Sequence, residues 1–140
     1  MLDGSGLRYD NRVAAHDLVN VLMSIRASSK MRAFRAMLPI AGVDGTLATR
    51  MTNIPGKVSA KTGTLTSDPA VALAGYGDGQ NGWQIVFAML GDSMITVDAG
   101  RATVDQMVAA TLQAINGLPS SKPSLEMLDD QGVELDGLLD

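Results

Sequence analysis

Cysteine is absent from the 140 residues, which excludes structural disulfides, thiolate metal sites and cysteine nucleophiles together. One histidine, His16, removes any site needing two imidazoles and leaves a single candidate base for a serine nucleophile. Aromatic residues make up only 4% of the chain, so the interior has to be built from aliphatic residues and the nine methionines. No apolar run approaches the roughly 18 residues that a membrane span needs, so none is expected. The start, Met1-Leu2-Asp3-Gly4-Ser5-Gly6, has no basic stretch followed by an apolar one. No signal peptide is therefore expected, and the chain as written is assigned to the cytoplasm. What remains is the composition of a soluble globule, 46% apolar and 19% charged, at a length that usually means one domain.

The net charge of −4 is unevenly spread. Residues 118–140 carry six acids (Glu126, Asp129, Asp130, Glu134, Asp136, Asp140) against one base, Lys122. Residues 1–117 carry nine acids and ten bases. A body so close to neutrality has no broad electrostatic footprint for nucleic acid, and no such partner is expected. The chain divides into a body, residues 1–117, and an acidic tail, residues 118–140, whose serine-, proline- and acid-rich composition predicts disorder. Scattered leucines in the tail, Leu125 to Leu139, could dock on a basic surface.

Periodicity supplies the elements of the body. Leu18, Val21, Leu22 and Ile25 recur at i, i+3, i+4, i+7 and predict a helix ending near Ala27-Ser28-Ser29. A short helix over 30–37 would put Met31, Phe34, Met37 and Leu38 on one side, and Pro39 stops it. Residues 41–55 are turn-rich, with room for a helical turn over 47–51. The period then falls to two, with strands expected over 57–64, 71–76 and 83–90. Asp78-Gly79 and Asn81-Gly82 supply the positive φ of a hairpin turn between the last two. The third strand is almost wholly apolar, which suits a central strand covered on both faces and wanting a neighbour on its free edge. A last helix, starting at Ala99 or, through a Thr103–Gln106 capping box, nearer Thr103, carries a stripe of Val104, Met107, Val108, Thr111, Leu112 and Ile115. Gly117 and Pro119 end it. The expected architecture is α+β: an antiparallel three-strand meander flanked by helices, with the look of part of a larger sheet.

The segment with chemical content is Lys57-Val58-Ser59-Ala60-Lys61-Thr62-Gly63-Thr64. Lys-Thr-Gly on a strand is one element of serine enzymes that recognise penicillin. Such enzymes acylate a serine with a peptide that ends in a carboxylate. Lys61 would set a positive field beside that carboxylate and the nucleophile, and Thr62 would donate a hydrogen bond to it. Gly63 would admit the substrate backbone, and the strand edge would pair with it. The Thr64 N–H would donate to the developing oxyanion. Taken alone, the triplet fits equally well an amphipathic strand with a solvated lysine.

Four ordered segments sharpen the reading: Asp3-Gly4-Ser5-Gly6-Leu7, Leu38-Pro39-Ile40-Ala41-Gly42-Val43-Asp44-Gly45-Thr46-Leu47, Val58-Ser59-Ala60-Lys61-Thr62-Gly63-Thr64-Leu65 and Ala72-Leu73-Ala74-Gly75-Tyr76. Through them the chain, over about residues 2 to 115, resembles the C-terminal part of the penicillin-binding protein 4 type of D-alanyl-D-alanine carboxypeptidase/endopeptidase. The resemblance implies the C-terminal portion of a β-lactamase/transpeptidase-like fold, with the Lys-Thr-Gly strand bordering the active site and a C-terminal helix packed on the sheet. It implies Lys61 as a catalytic residue and Thr62, Gly63 and Thr64 as substrate-binding residues. A peptidoglycan stem peptide or a β-lactam is the implied ligand, and the place of action is periplasmic or extracellular.

The departures are as informative. None of the ten serines has Lys at +3 or Asn at +2, so the Ser-x-x-Lys and Ser-x-Asn elements of the family are missing. The chain is thus expected to carry one wall of an active site and to be inactive by itself, completed by an N-terminal portion. The alternative is a non-catalytic truncated module that pairs through its open sheet edge, as a homodimer or with a partner. Arg8 stands where the family usually has a second serine, and Ser67-Asp68-Pro69 replaces a short glycine-containing turn. Tyr9-Asp10-Asn11 imitates the Tyr-x-Asn element of some β-lactamases by coincidence. His16 lies off the apolar stripe and is expected in solvent, as are Arg26, Lys30, Arg32 and Arg35. Asp44-Gly45 and Asp78-Gly79 lack the oxygen spacing of a calcium loop and are expected as turns, so no metal or cofactor is expected.

Overall fold

The computed structural model describes residues 6, 8, 10–80 and 82–118. The expectations for Asp3–Leu7 (Gly6 apart), for Tyr9, for Asn81 and for the tail from Pro119 onward fall outside those residues. Seven elements follow in order: helix α1 (Ala15–Arg26), helix α2 (Met31–Arg35), a 3-10 turn (Gly45–Leu47), strands β1 (Val58–Leu65), β2 (Ala70–Asp78) and β3 (Gln84–Gly91), and helix α3 (Val97–Asn116). The strands form an antiparallel meander in the order β1-β2-β3. Lys61 stands opposite Ala74 in one pair, and Ala74 opposite Ala88 in the other.

Strand alternation divides the core in two. Val58 and Ala60 of β1, Val71 and Leu73 of β2 and Phe87 of β3 face α3, where they meet Val104, Val108 and Leu112. Tyr76, Ala74 and Val86 face the other way, against Leu22 of α1 and the Met31–Leu38 segment. Tyr76 is the largest side chain sealed inside, and its hydroxyl donates to the Leu22 carbonyl at 2.8 Å. The Phe34 ring meets it edge-on. Burial drives the Tyr76 phenol above its ordinary pKa, and the charges of Arg35 and Arg26 offset part of that rise.

β1 and β2 lie unusually close at Gly75. A Cβ there would stand 2.2 Å from the Ser59 carbonyl oxygen and 2.6 Å from the Ala60 Cα. The chain before β1, residues 39–56, folds onto the α3 side, with Ala41 and Leu47 fully buried. Gly42 holds this turn: its φ of 64° lies in the left-handed region, and its N–H points at the carbonyls of Leu47 and Arg50, at 2.9 and 3.0 Å.

β2 is the middle strand of the meander, and β3 is covered by a helix on each face and pairs on one side among the described residues, leaving the free edge expected of it. Several expectations are corrected. α3 begins at Val97, with the Thr96 hydroxyl accepting from the Ala99 N–H; Thr103 donates instead to the Ala99 carbonyl, so no capping box starts the helix there. Its buried line is Gly100, Val104, Val108 and Leu112, a spacing of four, and Met107 is exposed. Val21 of α1 and Met37 after α2 also face out, because only one side of each short helix meets the sheet.

Candidate active-site cleft

β1 has an outer edge, and its first half is already occupied. The Ala60 N–H donates to the Pro39 carbonyl at 3.0 Å, and the Val58 carbonyl accepts from the Ala41 N–H at 2.9 Å. Even-numbered residues of β1 therefore aim their backbone groups away from β2, as the antiparallel pattern requires. Thr62 and Thr64 do the same, and no backbone hydrogen bond from the described residues reaches them. The segment from Lys61 to Thr64 is thus an open edge beyond the point where residues 39–41 leave off.

That edge opens onto a cleft of about 740 Å³. Thr62, Gly63 and Thr64 form one wall, Thr46, Arg50 and Met51 come from the turn-rich chain, and Asp98, Arg101 and Asp105 come from α3. Two hydroxyls meet where Thr62 Oγ1 lies 2.9 Å from Thr46 Oγ1. Arg50 and Asp105 form a bidentate pair, Nε to Oδ2 at 3.0 Å and Nη2 to Oδ1 at 2.7 Å. Arg101 reaches Thr64 Oγ1 with Nη2 and Asp98 Oδ1 with Nη1, both at 3.4 Å.

The four sequence-assigned site residues are adjacent in the chain but not on one side of it. Thr62 and Thr64 point into the cleft. Lys61 is exposed on the opposite face, outside the cleft lining, and its ammonium donates to the Thr62 carbonyl at the strand edge. Gly63 has a packing reason beside the chemical one, since a Cβ would come 3.2 Å from that of Ala72.

The Lys61 face carries its own polar network. Arg35 grips Asp78 with Nη1 and Nη2 and donates from Nε to Ser59 Oγ at 3.3 Å. Gln84 donates to Asp78 at 2.8 Å, and Arg26 reaches Gln84. Burial pushes the Asp78 carboxyl up, but the hydrogen bonds from Arg35 and Gln84 outweigh it and hold the group below its usual value. Arg35 is therefore bonded into the structure rather than merely solvated, whereas Arg26 is exposed as expected. His16 is exposed, and Asp44 turns its carboxylate back onto the Ile40 N–H at 2.7 Å, as a turn residue does. No group of three or more metal-ligating side chains occurs among the described residues.

Sequence reasoning missed Arg101, Thr46 and the Arg50–Asp105 pair. A signal existed: Asp98, Arg101 and Asp105 recur at i, i+3, i+7 and mark a charged face of α3 beside the apolar one.

The model of the D-Ala-D-Ala carboxypeptidase 3 (S13) family matches residues 1–114. The chain is 39% identical over 95 residues to a D-alanyl-D-alanine carboxypeptidase of an Actinomadura species, covering 63% of this chain and 17% of that protein. It is 32% identical over 117 residues to carboxypeptidase DacB of Mycolicibacterium smegmatis, covering 78% of this chain and 25% of that one. Among solved structures, penicillin-binding protein 4 (dacB) from Haemophilus influenzae, in complex with a β-lactam, superposes with a TM-score of 0.67 at 29% identity, over 79% of this chain and 28% of its own. The chain therefore spans between a sixth and a third of the length of the relatives it matches.

Proposed function

The chain belongs to the D-Ala-D-Ala carboxypeptidase 3 (S13) family, and from that membership we propose that it forms the substrate-binding wall of a serine-type carboxypeptidase acting on peptidoglycan stem peptides. The observation that carries this reading is the unpaired edge of β1 at Thr62 and Thr64, open onto a cleft whose wall is made by their own hydroxyls. An extended peptide laid along the edge gains main-chain hydrogen bonds as an added strand. Its terminal carboxylate falls within reach of the Thr62 and Thr64 hydroxyls, and Lys61 contributes positive charge from the other face. The Thr64 N–H, directed outward, is placed to donate to the oxyanion when a serine attacks the penultimate carbonyl and the last D-alanine leaves.

The attacking serine and its lysine come from a further portion, because no Ser-x-x-Lys or Ser-x-Asn occurs in these 140 residues. Action on cell-wall peptides places the assembled enzyme outside the cytoplasmic membrane. No described helix is long and apolar enough to cross one. The test is a titration of the 140-residue chain with an N-acylated D-alanyl-D-alanine peptide, followed by amide resonances, and treatment with a fluorescent penicillin. The expected outcome is selective shifts at Thr62 and Thr64 and no covalent adduct. Shifts confined to other segments overturn the reading, as does an adduct that vanishes when one serine of the chain is replaced.

The one-sided pairing of β3 favours a second reading. An apolar strand with an open edge invites pairing with another copy or a partner strand, and a chain that works this way is a non-catalytic module. Concentration-dependent sedimentation, with Thr62 and Thr64 indifferent to the peptide, is its signature.

A further inference from the structure

The two arginines of the cleft are not equivalent. Arg50 is spent on Asp105: the pair is bidentate and its side chains are 15% and 17% exposed. Arg101 is held loosely. Its carboxylate neighbour, Asp98, lies 3.4 Å away and is 92% exposed, so water screens the attraction. Arg101 also sits in the opening turns of α3, the positive end of the helix dipole, where a cation gains nothing from the backbone. Its other contact is Nη2 to Thr64 Oγ1 at 3.4 Å.

That contact fixes a direction. A guanidinium donates and never accepts, so the Thr64 hydroxyl must take the Arg101 hydrogen on a lone pair and aim its own hydrogen elsewhere. Resting on the reading above, we propose that Arg101 is a positioning and specificity residue. It holds the Thr64 hydroxyl as a donor to the substrate's terminal carboxylate, and its charge makes the cleft select a free acid over an uncharged C-terminus. Thr62, leaning on Thr46, supplies a hydroxyl without a charge behind it. Discrimination between acid and amide therefore rests on the Arg101–Thr64 pair, whereas attachment of the peptide backbone rests on the β1 edge.

The test compares affinities of the 140-residue chain for an N-acylated D-alanyl-D-alanine peptide and for its C-terminal amide. The original chain is expected to prefer the acid by about tenfold, the scale of one partly exposed charge-assisted hydrogen bond. Arg101→Gln is expected to bring the two affinities together while retaining edge binding, and Arg101→Lys to keep most of the preference. Thr64→Val is expected to lose part of the preference, because the Arg101 charge remains, and Arg101→Gln added to it to remove the remainder. Resonances of Tyr76 and α1 check the fold, and a merely structural arginine would weaken acid and amide alike. An undiminished preference in folded Arg101→Gln overturns the proposal. A chain that shifts at Thr62 and Thr64 but binds acid and amide equally overturns it too, leaving the edge-binding reading intact. Failure to bind either peptide overturns both.

Discussion

Arg50 and Asp105 close on each other beneath the cleft, tying the turn-rich chain before β1 to the third turn of α3 through two hydrogen bonds of 3.0 and 2.7 Å. With both side chains largely buried, the geometry of the cleft floor depends on the pair. Removing one partner leaves a buried charge alone, so Asp105→Asn is expected to cost about 2–4 kcal/mol, read as a lower denaturant midpoint. The double replacement Arg50→Met with Asp105→Leu is expected to recover most of that loss, because neither charge is then left stranded. Equal losses in the single and double variants would count against this account.

Gly75 and Gly63 lie on neighbouring strands and tolerate a methyl group very differently. At Gly75 a Cβ meets backbone at 2.2 Å, so Gly75→Ala is expected to push β1 from β2 and cost more than about 3 kcal/mol. At Gly63 a Cβ meets only the Ala72 methyl at 3.2 Å, and Gly63→Ala is expected to cost about 1 kcal/mol. Amide exchange along β1 distinguishes them: protection collapses in the first variant and persists in the second.

Asp78 makes stability depend on acid. Its carboxyl is held below its ordinary value in the folded chain, so the folded state binds this proton less readily than the unfolded one. The contribution is full above the unfolded value of about 3.9 and disappears as pH falls through the depressed folded value. Stability measured between pH 6 and pH 3 is expected to fall less steeply in Asp78→Asn than in the original chain. Asp78→Asn is also expected to be less stable near neutrality by about 1–2 kcal/mol, since Arg35 loses its charged acceptor. Parallel pH profiles would refute this.

Tyr76→Phe keeps the ring and removes the hydroxyl that reaches the Leu22 carbonyl. The expected cost is about 1–2 kcal/mol, the penalty of a buried carbonyl left without its donor, with α1 amides exchanging faster while those of α3 do not change. Faster exchange in α3 as well would show that the bond holds more than the α1 side.

The sequence's periodicities reached all three strands and helices because period two and period 3.6 are local properties of the chain, and the ordered segments around Lys61 located the edge. What stayed hidden was decided by partners far away in sequence. Arg35 looked like one more solvated arginine because Asp78 lies 43 residues on. Arg101 lay off the apolar stripe, and nothing local to α3 tells that its guanidinium finds Thr64 across 37 residues. The start of α3 was misplaced because two threonines, Thr96 and Thr103, compete for the role of cap, and hydroxyl chemistry is the same in both.

Alternation along β1 sets Lys61 and Thr62 on opposite sides of one ribbon, so a peptide lying beside it would be gripped from above and from below. Deleting one residue between Gly56 and Lys61 would turn that ribbon over, sending the amine where the hydroxyls belong while the composition stayed almost the same.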